Sequence, residues 1–144
     1  MTIITLGQQT CGHVDIVHGG LISALFDELL GELFYRVARS NNQKYRGLTA
    51  YLKVDFRKPM GNKHPVVFCC KVVETHGRKF HLKAFAFAAD PEVDYRTMFN
   101  ANGNLFESMH AVKPSSEAEA LFLIVKEDWE GMLERDLRKL PKTA

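Results

Sequence analysis

Between Leu21 and Ala38, apolar residues recur every three or four positions. At 100° per residue, Ile22, Phe26, Leu29, Leu30, Leu33, Phe34 and Val37 share one broad arc. Glu28, Glu32, Arg36 and Arg39 lie opposite, with Glu32 and Arg36 spaced as an i,i+4 pair. This predicts one long amphipathic helix. Around it the period changes. Met1–Leu6 reads as a short strand, and Gly7–Val17 as a loop. Leu48–Lys58 alternates, with Ala50, Leu52, Val54 and Phe56 on one face and Thr49, Tyr51, Lys53, Asp55 and Arg57 on the other. Val66–Thr75 and Lys79–Ala89 are further strands, joined by His76-Gly77-Arg78 as a hairpin loop. Asp90–Gly103 is a long polar connection, and Asn104–Lys113 a last strand closed by Pro114. Ser116-Glu117-Ala118-Glu119 has the form of a capping box. It predicts a C-terminal helix to about Leu140, carrying Leu121, Ile124, Val125, Trp129, Met132, Leu133 and Leu137. The fold class is therefore α+β: a largely antiparallel sheet wrapped around one central helix over residues 1–114, with 115–144 a helical extension of the same domain.

Composition narrows the class only a little. A chain of 144 residues suits one domain with one core. A formal net charge of +2 gives no reason to expect nucleic acid as a partner. No apolar run is long enough to span a membrane, and the N-terminus lacks the pattern of a signal peptide. The cysteines are Cys11, Cys69 and Cys70, an odd number without framework spacing. That favours reduced thiols acting as small apolar fillers, and an intracellular, soluble protein of the cytoplasm or mitochondrion.

The chemistry concentrates at the start of the helix. His18-Gly19-Gly20 stands at its mouth. Glycines there leave backbone N–H groups open to a ligand, at the positive end of the helix dipole. Such donors suit an oxygen that gains negative charge during a reaction. Asp27 lies on the edge of the apolar arc beside Ser23, next to a strip of small residues, Ala24, Gly31 and Ala38. It follows Gly19 by eight residues, roughly 12 Å of axial rise. Asp27 and the mouth of its own helix therefore cannot meet at one reaction centre. If one centre uses both, a second copy of the chain supplies one of them.

The stretch His18-Gly19-Gly20-Leu21-Ile22-Ser23-Ala24-Leu25-Phe26-Asp27, together with the strand Leu48–Pro59, resembles the HGG-type acyl-CoA thioesterases of the hot dog fold, of the phenylacetate-degradation and thioesterase superfamily member four kinds. The resemblance runs from about Gly12 to Pro114. It implies a homodimer, or a tetramer, with sheets joined edge to edge and acyl-CoA sites at the interface. By resemblance Asp27 matches the catalytic carboxylate, His18 and Gly19 the loop that holds the thioester carbonyl, and Thr49 a hydroxyl that positions the attacking water. Some relatives carry an Asn six residues before the His. Here that position is Gly12, which places the chain with the Asp-plus-Thr variant.

The expected reaction is hydrolysis of an acyl-CoA thioester to free acid and CoA. An aspartate is ionised at pH 7 and can act as general base, or attack directly to give a mixed anhydride. Gly19, with Gly20, would donate N–H groups to the oxyanion. Arg57, Lys58, Arg78 and Lys79 are candidates for the CoA phosphates. No cofactor is expected, since CoA is part of the substrate. No metal is expected either: His13, Asp15 and His18 match no strong ligand spacing. Ser23 lacks a nucleophile elbow. A hot dog enoyl-CoA hydratase and a non-catalytic acyl-CoA-binding protein are the alternatives. The hydratase is disfavoured because the next histidine after Asp27 is His64. Phe26, Phe34 and Phe85 are candidates for an acyl tunnel, although aromatic residues at such positions more often form plain core.

Overall fold

In the computed structural model, which describes residues 1–40, 46–93 and 113–125, helix α1 (Gly19–Ser40) lies against a five-stranded sheet. The helix buries a row of residues four apart: Ile22, Phe26, Leu30, Phe34 and Ala38, each at most 1% exposed. Burial of each of the large ones is worth about 1.5–3 kcal/mol. Leu25, Leu29, Leu33 and Val37 flank the row, half-buried. Phe34 is held edge-on to Phe80 with ring centres 4.9 Å apart, and stacks on Phe122 at 5.4 Å. Phe26 meets Phe68 edge-on at 5.4 Å.

Ahead of the helix come β1 (Thr2–Ile4), a 3-10 turn (Gln8–Thr10) and a small hairpin of β2 (Cys11–His13) and β3 (Ile16–Val17). The stretch read from sequence as loop thus contains ordered structure. Asp15, with φ of 59°, makes the hairpin turn. A loop downstream clamps this hairpin. Val17 N–H donates to the Met60 carbonyl at 2.8 Å, and Asn62 N–H to the Asp15 carbonyl at 3.2 Å. After the helix follow β4 (Gly47–Phe56), β5 (Val66–His76), β6 (Lys79–Ala88) and β7 (Ser116–Ile124). The sheet order is β1-β5-β6-β7-β4, antiparallel throughout. Gly77, at φ of 57°, turns the β5–β6 hairpin as expected.

Strand β7 corrects the expected C-terminal helix. Ser116–Ile124 is a strand inserted between β6 and β4, inside the sheet, so the boundary at 114 does not separate a helical extension from the sheet domain. The reason is a period-two pattern under the cap-like signature. Ser116, Ala118, Ala120, Phe122 and Ile124 all point to the buried side. Pairing on both flanks satisfies the strand backbone, which outweighs the local helical preference of Glu and Ala. The outward Glu119 accepts a hydrogen bond from Lys83 at 2.7 Å, which holds its carboxyl below the usual carboxylate range. The expected strand at Asn104–Lys113 and the expected helical residues beyond Val125 lie outside the described residues, apart from Lys113, which is not in a strand.

Strand β4 brings a second correction. Thr49 pairs with Phe122 and Tyr51 with Leu121, so Ala50 is an extra residue in a β-bulge. The bulge reverses the alternation. Thr49, expected on the face opposite Leu52 and Val54, joins them on the helix side. Gly47 shares that side, where a Cβ built on it would overlap the Phe34 ring.

On the outer face of the sheet, Val67, Cys69 and Phe87 form a second buried cluster. Burial pushes the Cys69 and Cys70 thiols up to about 11, so both stay protonated and unreactive at neutral pH.

Candidate active site

His18 caps α1 with its side chain. Gly20 N–H donates to His18 Nδ1 at 2.9 Å, which fixes Nδ1 as the acceptor and leaves the ring proton on Nε2. Leu21 and Ile22 N–H groups both donate to the His18 carbonyl, at 3.0 and 3.2 Å. Of the first N–H groups of the helix, Gly19's alone has no acceptor among the described residues. Gly19 therefore offers the open donor, while Gly20, expected to share that task, is already taken. Two glycines make room for the His18 ring. A Cβ on Gly12 would stand 2.9 Å from Cδ2, and one on Gly20 2.9 Å from Nδ1. The glycine at position 12 is thus tied to the placement of His18.

This mouth opens on a cavity of about 600 Å³. Its apolar wall is Ile16, Val17, Ile22, Phe56, Pro59 and Met60, and Ser116 lies among them. The Phe56 ring passes over Gly19, 3.2 Å from where a Cβ would stand. Arg57 and Lys58 also line the cavity. Their N–H groups both donate to the Ser115 carbonyl, at 2.8 and 3.1 Å, which fixes their backbone beside the start of β7. The Arg57 side chain reaches Glu117 at 3.4 Å while remaining exposed.

Asp27 lies elsewhere. It lines a smaller, more polar cleft of about 340 Å³ with Glu28, Gly31, Glu32, Tyr35, Gly47, Thr49 and Phe122. Thr49 Oγ1 donates to Asp27 Oδ1 at 2.8 Å. The bulge at Ala50 makes this contact available, since unbroken alternation would turn Thr49 away. Tyr35 closes the end of the cleft, its hydroxyl donating to the Gly47 carbonyl at 3.3 Å. The two cavities share no lining residue.

The structure thus brings His18, Gly19, Gly20, Arg57 and Lys58 to one place, and Asp27 and Thr49 to another. Arg78 and Lys79 reach neither cavity. They stand where β6 begins, and Arg78 donates to the Ile124 carbonyl at 3.2 Å. Ser23 returns its hydroxyl to the Gly19 carbonyl at 3.0 Å. His13, Asp15 and His18 do not gather as a metal site; among the described residues no three ligand-type side chains do. Phe26, Phe34 and Phe85 are core and line neither cavity. Sequence reading missed Phe56, Met60 and Ser116 as cavity residues. The alternation of β4 pointed Phe56 inward, but nothing local marked Ser116 or the loop at Met60. No helix among the described residues is long and apolar enough to cross a membrane.

Known structures share this architecture. An acyl-CoA hydrolase from Staphylococcus aureus, solved with butyryl-CoA and CoA, superposes with a TM-score of 0.66 at 15% identity, over 88% of this chain and 65% of that one. A Bacillus halodurans protein solved with CoA gives 0.60 at 14%, over 88% and 67%. A Thermus thermophilus thioesterase solved with CoA and zinc gives 0.61 at 10%, over 88% and 83%. At these identities the likeness establishes the fold, the hot dog arrangement of sheet around helix. The chain spans about two thirds of the length of the Staphylococcus and Bacillus proteins. No curated protein matches it in sequence. The sequence profile of the thioesterase superfamily does match, over residues 15–94, a span that starts at the β2–β3 turn and takes in the helix mouth, Asp27 and Thr49. With the hot dog sheet and the helix-mouth cavity in place, that match over more than half its length makes this chain a member of the thioesterase superfamily.

Proposed function

We propose that the protein hydrolyses acyl-CoA thioesters, with Asp27 as the base and the helix mouth of a second copy as the oxyanion site. The observation that carries this reading is the Thr49–Asp27 hydrogen bond of 2.8 Å beside the outer edge of β4. The hydroxyl donates to one carboxylate oxygen and keeps lone pairs free to accept from a water. The carboxylate removes the water's other proton as the oxygen attacks the thioester carbon. Gly19 N–H then holds the developing oxyanion, aided by the helix dipole. Collapse expels the CoA thiolate, which recovers the proton from Asp27. Loss of one oxyanion donor typically costs about 3 kcal/mol of transition-state stabilisation.

Two copies joined through β4 would supply the complete centre. Among the described residues β4 pairs only with β7, leaving its outer edge open. It exposes Leu48, Tyr51 and Phe56, at 46%, 45% and 55%. An open edge with exposed large apolar side chains favours a covering partner. Arg57 and Lys58 would meet CoA phosphates at the cavity. A single turnover in isotopically labelled water tests Asp27 as the base, because label in its carboxylate would require direct attack. A hydratase that pairs an aspartate with a histidine on the same helix is disfavoured, because no histidine of the same chain lines the Asp27 cleft.

The test is a panel of acyl-CoA esters, varied in chain length and aromatic character, with released thiol as readout. Turnover is expected for some of them. Tight binding of the esters without thiol release would make the protein a binder instead.

A further inference from the structure

Two side-chain polar atoms among the described residues are buried without a hydrogen-bond partner: Asn62 Oδ1 and Ser116 Oγ. Asn62 already donates its amide to Gln8 at 2.6 Å and lines neither cavity. Ser116 differs on both counts. It is 1% exposed, and it lines the helix-mouth cavity among Val17, Ile22, Phe56 and Met60. Its place in the register, opposite Phe56 on one side and Ala86 on the other, turns the side chain toward the helix. The next two residues on that face are Ala118 and Ala120, both buried. Alanine therefore suits this face of β7, and packing gives no reason for a hydroxyl. An orphaned buried hydroxyl is unfavourable in the empty protein. Such a group is explained when a ligand supplies the missing partner. His13, His18, Arg57 and Lys58 also line the cavity, but the residues around Ser116, Val17, Ile22, Phe56 and Met60, are apolar, and among the described residues its hydroxyl alone in this cavity is both buried and unpartnered.

We propose that Ser116 selects acyl groups carrying an oxygen, a hydroxyl or keto group, on the chain beyond the thioester carbonyl. This rests on the thioesterase reading above. With the thioester held at Gly19, the acyl chain enters the cavity toward Ile22, Met60 and Ser116. Rotation about a single side-chain torsion swings the serine oxygen along the wall to meet it. Serine both donates and accepts, so it pairs with either kind of oxygen. A plain alkyl chain leaves it unpaired, and that difference is the source of discrimination.

The test compares wild type with Ser116→Ala on hexanoyl-CoA, 3-hydroxyhexanoyl-CoA and 6-hydroxyhexanoyl-CoA. Relative kcat/KM is measured for all three. Binding of the same esters is measured by calorimetry in the Asp27→Asn background, with and without Ser116→Ala. Wild type is expected to favour at least one hydroxy ester over hexanoyl-CoA by about fivefold or more, and Ser116→Ala to collapse that ratio toward one. The melting temperature of ligand-free Ser116→Ala is expected to equal or exceed that of wild type. Equal ratios in the two proteins, or a clear fall in that melting temperature, would overturn the proposal. Turnover without selectivity defeats Ser116 alone. Selective binding without turnover in wild type defeats the hydrolase reading and leaves Ser116 standing.

Discussion

The helix-mouth cavity and the Asp27 cleft lie along one helix, yet they are built from opposite materials. The first is larger and mostly apolar, and it offers the open backbone N–H of Gly19. The second is smaller and more polar, and it holds the hydrogen-bonded side chains of Asp27 and Thr49. One suits binding a chain and a developing negative charge; the other suits moving a proton. On the proposed reading neither half hydrolyses a thioester alone. Catalysis is then tied to assembly, and the two halves are separable by mutation.

Asp27→Asn should have the largest effect. It removes the base while asparagine can still accept from Thr49, so kcat should fall about a thousandfold with KM little changed. Near-full activity would remove Asp27 from the chemistry. Gly20→Ala attacks the other half. Its Cβ would stand 2.9 Å from His18 Nδ1, so the cap must shift and carry the mouth with it. We expect kcat to fall about a hundredfold, the usual result of misplacing a donor by an ångström. An unchanged rate would show that the cap does not hold the oxyanion site. Thr49→Val keeps the shape of the cleft and deletes its hydrogen bond, and should lower kcat about tenfold. A change confined to KM would instead make Thr49 a binding residue. The smallest effect belongs to the cavity's cations. If Arg57 and Lys58 meet CoA phosphates, raising the salt from 0.05 to 0.5 M should raise KM for the ester by about two- to fivefold. A salt-independent KM would leave them as solvated charges.

The two regions also differ in how far the sequence reveals them. The period of α1 located the helix, and the positions of Phe26, Phe34 and Asp27 on it, to within a residue or two at its ends. The His-Gly-Gly run marked the mouth because glycine beside a helix start has a narrow set of uses. The cleft was harder to read. Residue identity and family resemblance pointed to Thr49, while simple alternation turned it to the wrong face. Only the bulge at Ala50, which no residue type announces, restores it. Strand β7 failed for a related reason. Ser-Ser-Glu-Ala-Glu favours a helix start locally, and the slots beside β4 and β6 that convert it to a strand are set by distant residues. With β7 misread as a helix, Ser116 could not be seen as part of a cavity wall.

Mixing two defective proteins tests most directly whether one catalytic centre draws on two chains. Asp27→Asn lacks the base and Gly20→Val lacks the mouth, so each alone should be nearly inactive. Refolded together at equal concentrations, half of the dimers pair one of each, and every mixed dimer keeps one intact centre of its two, so about a quarter of wild-type activity should return. Activity no greater than that of the two variants assayed separately would contradict the shared centre.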